Sequence, residues 1–407
     1  MCFFRSFGRK IVYLHAENCF LMKYSPYKIV ICTPALYSAG GVERVVSVKA
    51  NYFADILNYD VTIIVTEGHG SNSFFQLSPK VKVINLGLRF EELWNISFVR
   101  KVILYLYKQR RYKKLLTEEL IRIQPDITIT TLRREINFIS DTNDGSYKIG
   151  ELHLSRENYR LIDSSKKNLL KWLFSRWWQK RIVDHLQRLD RFVVLTQNAK
   201  LDWPELKNVK LIPDPLSISP NCQSSLSSKR IITIGRYSYE KGWDLLLRIW
   251  ALVEKEYKDW QLDVYGMGDP TPYVRMLDNL SIDKKRCHLN ASLVSVEEGY
   301  LRSSILVQPS RTEGFGLVIV EAMACGLPVI AFDCENGPRS IMTDGEEGYL
   351  IPAFDVELFA ERLKKLMSDE NLRRNMGEKG QKKSQCYHID SIGKQWKQLF
   401  DDLMQNK

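Results

Sequence analysis

Short apolar runs rich in β-branched residues recur along the chain, separated by longer amphipathic stretches. A run with no polar alternation suits a strand buried on both faces, and an amphipathic stretch suits a helix with one face buried. Their repeated alternation is the pattern of parallel sheets covered by helices on both sides. A first set of strand-like runs comprises 28–33, 61–66, 82–86, 127–130, 191–195 and 209–212. A second comprises 230–234, 261–265, 304–308 and 328–332. Between them, 213–228 is rich in Pro and Ser and lacks periodicity, which reads as a linker. At 407 residues the chain exceeds what one core supports. The expected fold class is therefore α/β, with two Rossmann-like, doubly wound domains. Residues 1–21 read as an unstructured N-terminal extension ahead of a functional start at Met22. Residues 22–212 form the first domain, 213–228 the linker, 229–387 the second domain, and 388–407 a closing helix.

The formal net charge of +11 calls for an anionic partner: nucleic acid, a membrane surface or a small molecule. Basic residues concentrate at 100–114 and 166–181, where they are interleaved with aromatic and aliphatic side chains. The second stretch holds Lys166, Lys167, Lys171, Arg176, Lys180 and Arg181 among Trp172, Phe174, Trp177 and Trp178, with no acid. This composition suits a helix lying on an anionic membrane, and equally a domain-surface helix whose rings pack inward. Eight cysteines, at 2, 19, 32, 222, 287, 325, 334 and 386, form neither a CxxC pair nor a zinc-spaced cluster. They point to a reduced, cytosolic chain without a structural metal. The apolar runs fall short of the roughly 20 residues a membrane helix needs, and the N-terminus makes a poor signal peptide. No RNP-like strand pair, zinc finger or repeat accompanies the charge, so polyanion binding without catalysis rests on charge alone.

Three strand-to-helix loops have the composition to hold a phosphate. Residues 33–44 end in Gly40-Gly41 before a Val-rich helix, whose N-terminal N–H groups would face an anion. The loop lacks the GxGxxG and Gly-Lys-Ser/Thr patterns of dinucleotide and P-loop proteins. Residues 231–242 place Arg236 and Lys241 past a strand's carboxyl end, the side at which open α/β sheets bind ligands. A guanidinium fork and an ammonium point charge together suit a diphosphate. A third glycine turn, Tyr265-Gly266-Met267-Gly268, follows the next strand.

The most specific segment runs from Pro309 to Ala331. Glu313 and Glu321 stand eight residues apart, with Gly314 and Gly316 between them. The glycines predict a helix over about 317–324, with Gly326 as its C-cap and Pro328 barring continuation. Glu313 then lies in the loop and Glu321 one turn inside the helix, and the N–H groups of 314–317 form an anion nest. Carboxylates accept hydrogen bonds from vicinal diols, so this pair beside a phosphate nest fits a nucleotide-sugar.

This segment resembles the E-x7-E motif of the retaining group 1, or family 4, glycosyltransferases of the GT-B fold, in the form EGFGLVxxEAMACGxPVI over Glu313 to Ile330. The resemblance extends to the first glycine loop, Gly235-Arg236 with Lys241-Gly242, the Tyr-Gly-Met-Gly turn and the Asp344–Leu350 stretch. It implies two Rossmann-like domains facing each other across a cleft, with a C-terminal helix over 389–404 crossing back to the first. It implies that Arg236 and Lys241 hold the donor diphosphate, that Glu313 contacts the donor sugar, and that Glu321 binds the ribose. Gly40, Gly41, Gly266, Gly314, Phe315, Gly316 and Leu317 would complete the donor site, and His153 would be the cleft histidine. Catalysis would then rest on Glu313, His153, Arg236 and Lys241, with no metal and no cofactor. The linker opens Ile212-Pro-Asp-Pro215 where the family pattern leads to Ile-Pro-Asn-Pro. The implied reaction moves a hexosyl or N-acetylhexosaminyl group from a UDP-sugar first, or a GDP-sugar second, to a glycan or lipid-linked acceptor in surface polysaccharide or lipopolysaccharide synthesis. It would take place at the inner face of the cytoplasmic membrane, with Arg133 and Arg134 toward the acceptor. A phosphorylase or epimerase on the same fold is the nearest enzymatic alternative.

Overall fold

A computed structural model describes residues 26–68, 72–93, 97–156, 159, 169–334 and 336–405; the side chains at 98, 99 and 169–175 lie outside that description. The extension expected over 1–21 and the basic residues Lys166 and Lys167 also fall outside it.

Seven parallel strands form the first sheet: β1 Lys28–Thr33, β2 Asp60–Val65, β3 Lys82–Asn85, β4 Ile127–Thr130, β5 Tyr147–Leu152, β6 Arg191–Val194 and β7 Val209–Leu211. Their order is β3-β2-β1-β4-β5-β6-β7. Six parallel strands form the second: β8 Arg230–Ile234, β9 Gln261–Tyr265, β10 Cys287–Asn290, β11 Ile305–Gln308, β12 Val329–Phe332 and β13 Gly348–Ile351. Their order, β10-β9-β8-β11-β12-β13, repeats the same winding. Strands β4, β11 and β12 are buried at every position, Thr128, Thr130 and Gln308 included, as expected of strands covered on both faces. The chain is thus an α/β protein of two Rossmann-like units, as its sequence pattern predicts.

In each sheet the order reverses direction between its first and fourth strands, β1/β4 and β8/β11. Loops leaving the carboxyl ends of strands on either side of such a reversal splay apart and open a crevice for ligand. The loops that leave these four strands carry Gly40-Gly41, Arg133, Arg236 with Lys241, and Glu313. Topology alone therefore gathers the residues picked out by composition.

Three strands escape the apolar-run reading. β5 has the sequence Tyr-Lys-Ile-Gly-Glu-Leu, yet Lys148 and Glu151 are both buried, each satisfied by an ion-pair partner, Asp144 and Lys49. β10 is polar, and β13 is a short stretch following a turn.

The helix Ile389–Met404 returns to the first domain. Its Ile392, Trp396, Leu399, Phe400 and Leu403 recur at helical spacing and are buried against the Val46–Phe53 face of the helix Gly41–Asp55 and against β1 and β2. Phe53 meets Trp396 and Phe400 edge-on, with centroids 6.2 and 5.3 Å apart. Each fully buried large apolar side chain contributes about 1.5–3 kcal/mol, enough to hold this helix on a domain other than the one it directly follows in the chain. Gly393 makes the contact possible: a Cβ there would fall 2.1 Å from the Tyr52 ring. A helical glycine costs about 1 kcal/mol relative to alanine, and here it permits the close approach.

The segment 213–228 has no regular structure, but it is packed. Leu216 and Leu226 are buried in the same cluster as the helix Leu317–Ala324, and the Leu216 and Ser224 amides donate to the carbonyls of Tyr387 and Cys325.

Candidate functional site

The loop 235–242 is held rigidly. Trp243 Nε1 donates to the Arg236 carbonyl at 2.7 Å. Arg311 grips Asp244 through two bonds of 2.8 and 2.7 Å, donates to the Tyr239 carbonyl at 2.8 Å, and stacks 3.9 Å over the Tyr239 ring. Gly242, at φ 68°, lies where a Cβ would fall 2.0 Å from the Pro309 carbonyl oxygen, so the loop abuts the start of the carboxylate segment. Gly266 is likewise pressed against the Gly235 carbonyl, where a Cβ would sit 1.9 Å from the oxygen. The glycines thus fix how closely the loops stack.

Lys241 Nζ donates to Glu313 Oε1 at 2.7 Å. Ser310 Oγ donates to the same oxygen at 2.7 Å, as does Gln308 Nε2. Burial pushes the Glu313 carboxyl up, but the Lys241 charge and these three hydrogen bonds outweigh it and hold the carboxyl below the usual range. Glu313 is thus a carboxylate whose donors, among the described residues, all lie in the second domain. Arg236 is exposed and, among the described residues, has no ion-pair partner. Its charge is sensed by Arg133 across the crevice.

The helix Leu317–Ala324 has the predicted bounds. Gly316 sits at φ 104° as its N-cap without a side-chain capping bond, and Gly326, at φ 79°, ends it. Leu317 opens the first turn, and Phe315 is buried edge-on against Tyr387. Gly314 faces the first domain: a Cβ there would lie 2.2 Å from the His153 carbonyl oxygen. Only glycine lets the two halves meet at this point.

Glu321 is fully buried. Arg44 Nη1 donates to its Oε1 at 2.5 Å, Ser217 Oγ donates to the same oxygen, and the Tyr300 hydroxyl donates to Oε2 at 2.9 Å. Burial, reinforced by the Glu321 charge, pushes the Tyr300 hydroxyl well above its ordinary pKa. The sequence reading missed all three donors. Arg44 carried the one available signal, a cation in the first turn after Gly40-Gly41. At that turn Gly40 is extended, and the Glu43 side chain folds back over it, with Oε2 2.1 Å from where a Cβ would be. A Cβ on Gly41 would meet nothing within 4 Å, so the backbone there opens onto free space.

His153 follows β5 and lines a small pocket with Val42, Thr131, Arg133 and Tyr159. Its ring lies between Glu151 and Asp214. The side chains of Glu151, His153 and Asp214 offer ligand atoms all within 4.8 Å of one another. Lys49, however, donates to both Glu151 oxygens, and a divalent ion seated there would face its ammonium. Arg134, expected toward an acceptor, instead pairs with Glu67 at 3.0 Å and stacks on Phe90.

Of the two basic stretches, the helix Phe98–Ile123 exposes Val102, Ile103, Leu106 and Tyr107 beside Arg100, Lys101, Arg110, Arg111, Lys113 and Lys114. In the helix Leu169–Gln187, Trp177 is exposed while Trp178 packs on the first domain's core. Among the described residues no helix is long and apolar enough to cross a membrane.

Residues 220–383 match the family described as glycosyl transferases group 1. An uncharacterized glycosyltransferase of Haemophilus influenzae is 28% identical over 89% of this chain and 97% of its own length. The amylovoran biosynthesis glycosyltransferase AmsD of Erwinia amylovora is 27% identical over 92% of this chain and all of its own. Staphylococcus aureus TarM, solved with fondaparinux, alpha-GlcNAc-glycerol and UDP, superposes with a TM-score of 0.75 at 16% identity, covering 92% of this chain and 99% of that one.

Proposed function

We propose, from the premise that this chain is a glycosyltransferase with a group 1 domain over 220–383, that it moves a hexosyl or N-acetylhexosaminyl group from a UDP-sugar, with a GDP-sugar as second choice. The acceptor is a glycan or lipid-linked saccharide of a bacterial surface polysaccharide, and anomeric configuration is retained. The observation that carries the reading is the Arg236–Lys241 loop locked against Glu313, with the helix beginning at Leu317 behind it.

In the transfer, the bond from the anomeric carbon to the donor phosphate oxygen breaks and the acceptor hydroxyl oxygen bonds to that carbon. The hydroxyl proton passes to the departing phosphate on the same face. Charge grows on the nucleoside diphosphate, and Lys241, held by Glu313, together with Arg236 and the N–H groups at the start of the helix Leu317–Ala324, offsets it. Glu313, kept ionised, accepts sugar hydroxyls; Glu321 accepts the ribose once its protein donors make room. These fixed cations make metal assistance unnecessary in this reading. A relative named for amylovoran synthesis and a structural neighbour solved with UDP support the substrate class. The exposed apolar and basic face of the helix Phe98–Ile123 supports peripheral contact with anionic lipid, where a lipid-linked acceptor would reside.

Thermal unfolding with UDP, GDP and ADP added separately tests the donor. A nucleotide at about 100 times its Kd stabilises the fold by roughly 2.7 kcal/mol. UDP is expected to raise the midpoint and Glu321→Ala to abolish the rise. No shift with any of the three nucleotides would overturn the donor site.

A further inference from the structure

His153 is seated between two carboxylates. Its Nδ1 lies 3.4 Å from Asp214 Oδ1 and its Nε2 3.5 Å from Glu151 Oε2, with the ring 6% exposed. A neutral imidazole carries one N–H and one lone pair. In this seat either neutral tautomer turns its lone pair onto a carboxylate, and only the doubly protonated ring offers an N–H to each side. The surrounding charges lead to the same state. Lys49, from the helix Gly41–Asp55, covers both Glu151 oxygens with its ammonium 4.6 Å over the Trp396 ring, and so neutralises Glu151. Asp214, from the linker, is buried, and its Oδ1 has no hydrogen-bond partner among the described residues. An unpaired buried carboxylate is costly, and among the described residues the only cation against it is the His153 ring. Arg133, in the loop after β4, lines the same pocket, and the second domain contributes the uncharged backbone of Gly314.

We propose that Asp214 is a positioning residue that holds His153 as an imidazolium at neutral pH, so that His153 serves the cleft as a fixed positive charge there and does not shuttle protons. The charge arrangement stands on geometry; its kinetic consequence rests on the transferase reading above. Burial pushes the ring's pKa down, and Asp214 first and Glu151 second push it up, leaving it at about 9. Aspartate in place of asparagine at 214 is therefore a functional difference, since an amide accepts a hydrogen bond but brings no charge. Because 214 lies in the linker, the charge on His153 depends on how the linker seats against β5.

The test uses the full chain labelled with 15N-histidine, followed by NMR from pH 6 to 10. His153→Gln identifies its resonances among the six histidines. In the wild type, His153 is expected to carry protons on both nitrogens at pH 7.5 and to titrate near 9. Asp214→Asn should lower that midpoint by about 1–3 units, the usual effect of one close opposite charge. A neutral tautomer at pH 7.5, an unmoved midpoint, or saturable Zn²⁺ binding at the wild-type ring would overturn the proposal. Should Asp214→Asn fail to fold, the wild-type protonation state decides alone.

The second readout is kcat against pH. The alkaline limb should follow the NMR midpoint and move down with it in Asp214→Asn, with donor KM little changed. A limb that stays while the NMR midpoint moves would reject the fixed-charge role. Absence of transfer at every pH from UDP- and GDP-sugars, with the NMR shift intact, would remove that role together with the proposed function and leave the charge arrangement standing.

Discussion

Glu313 and Glu321 belong to one motif and one stretch of chain, yet they are held in different ways. Among the described residues every donor to Glu313 (Lys241, Gln308 and Ser310) comes from the second domain. Glu321 takes Arg44 from the first domain, Ser217 from the linker and Tyr300 from the second. The first carboxylate is set by its own domain whether or not the halves meet. The second is set by their meeting. Groups already fixed before reaction need no reorganisation at the moment of bond breaking, so under the proposed transfer Glu313 is the carboxylate suited to chemistry. Under the same proposal, Glu321, whose partners arrive from three segments, is suited to couple ligand binding to closure.

The contrast is broken most severely by removing the fixed half. Lys241→Ala should lower kcat by about 10²–10³-fold, the cost of losing one preorganised charge stabiliser, and Arg236→Ala should approach it; steady-state transfer kinetics check both. Near-normal turnover would show that Glu313 and its cation are structural. The acid side of the stability curve gives an independent check. Glu313 is held below the usual carboxylate range, so it contributes stability above the unfolded-state pKa that is lost as pH falls through its folded value. Without Lys241 that loss should begin at a higher pH, visible as a lower thermal midpoint between about pH 5 and 4 relative to wild type.

Next in size is Gly314→Ala, which separates the two carboxylates experimentally. The added methyl would fall 2.2 Å from the His153 carbonyl and must push the halves apart. The Glu313 cluster should survive unaltered, while the Arg44–Glu321 bond lengthens or breaks. A displacement near 1 Å at a reacting centre costs about 10²-fold, so kcat should fall by up to that factor while UDP still raises the unfolding midpoint. Equal loss of nucleotide binding and turnover would mean that the second domain cannot hold the donor alone.

The ease of reading the sequence follows the same division. Strands buried on both faces, the helix Leu317–Ala324 with its glycine cap, and the crossover helix with its apolar stripe are written in local patterns. So is the Arg236, Lys241 and Glu313 constellation, because its members lie on loops of one domain. The partners of Glu321 are 277, 104 and 21 residues away from it, and no local pattern announces such contacts. β5 was hidden for a related reason. Its Lys148 and Glu151 look solvent-facing until their partners, Asp144 for the lysine and the distant Lys49 for the glutamate, are in place. Asp214 read as a conservative departure in the linker, and only the fold shows that it faces an imidazole.

The smallest expected effect sharpens the comparison furthest. Arg44 donates to Glu321 Oε1, and Ser217 shares that oxygen. If the ribose is to use this carboxylate, Arg44 must yield part of its bond. Arg44→Met keeps the bulk of the side chain and its contact with the Phe75 ring, which the guanidinium now overlies at 5.0 Å, but removes the competing donor. A hydrogen bond to a charged group contributes about 1.5–3 kcal/mol, so the free variant should unfold at a lower temperature than wild type. Because ribose hydroxyls no longer displace Arg44, the UDP-induced rise in midpoint should be larger in the variant and the donor KM several-fold lower. Isothermal titration with UDP, run beside the unfolding series, separates this from the opposite case. Weaker UDP binding in Arg44→Met would mean that Arg44 swings from Glu321 onto the diphosphate. Glu321 would then be the resting place of a donor ligand, and the division between the two carboxylates would run between chemistry and storage of a cation.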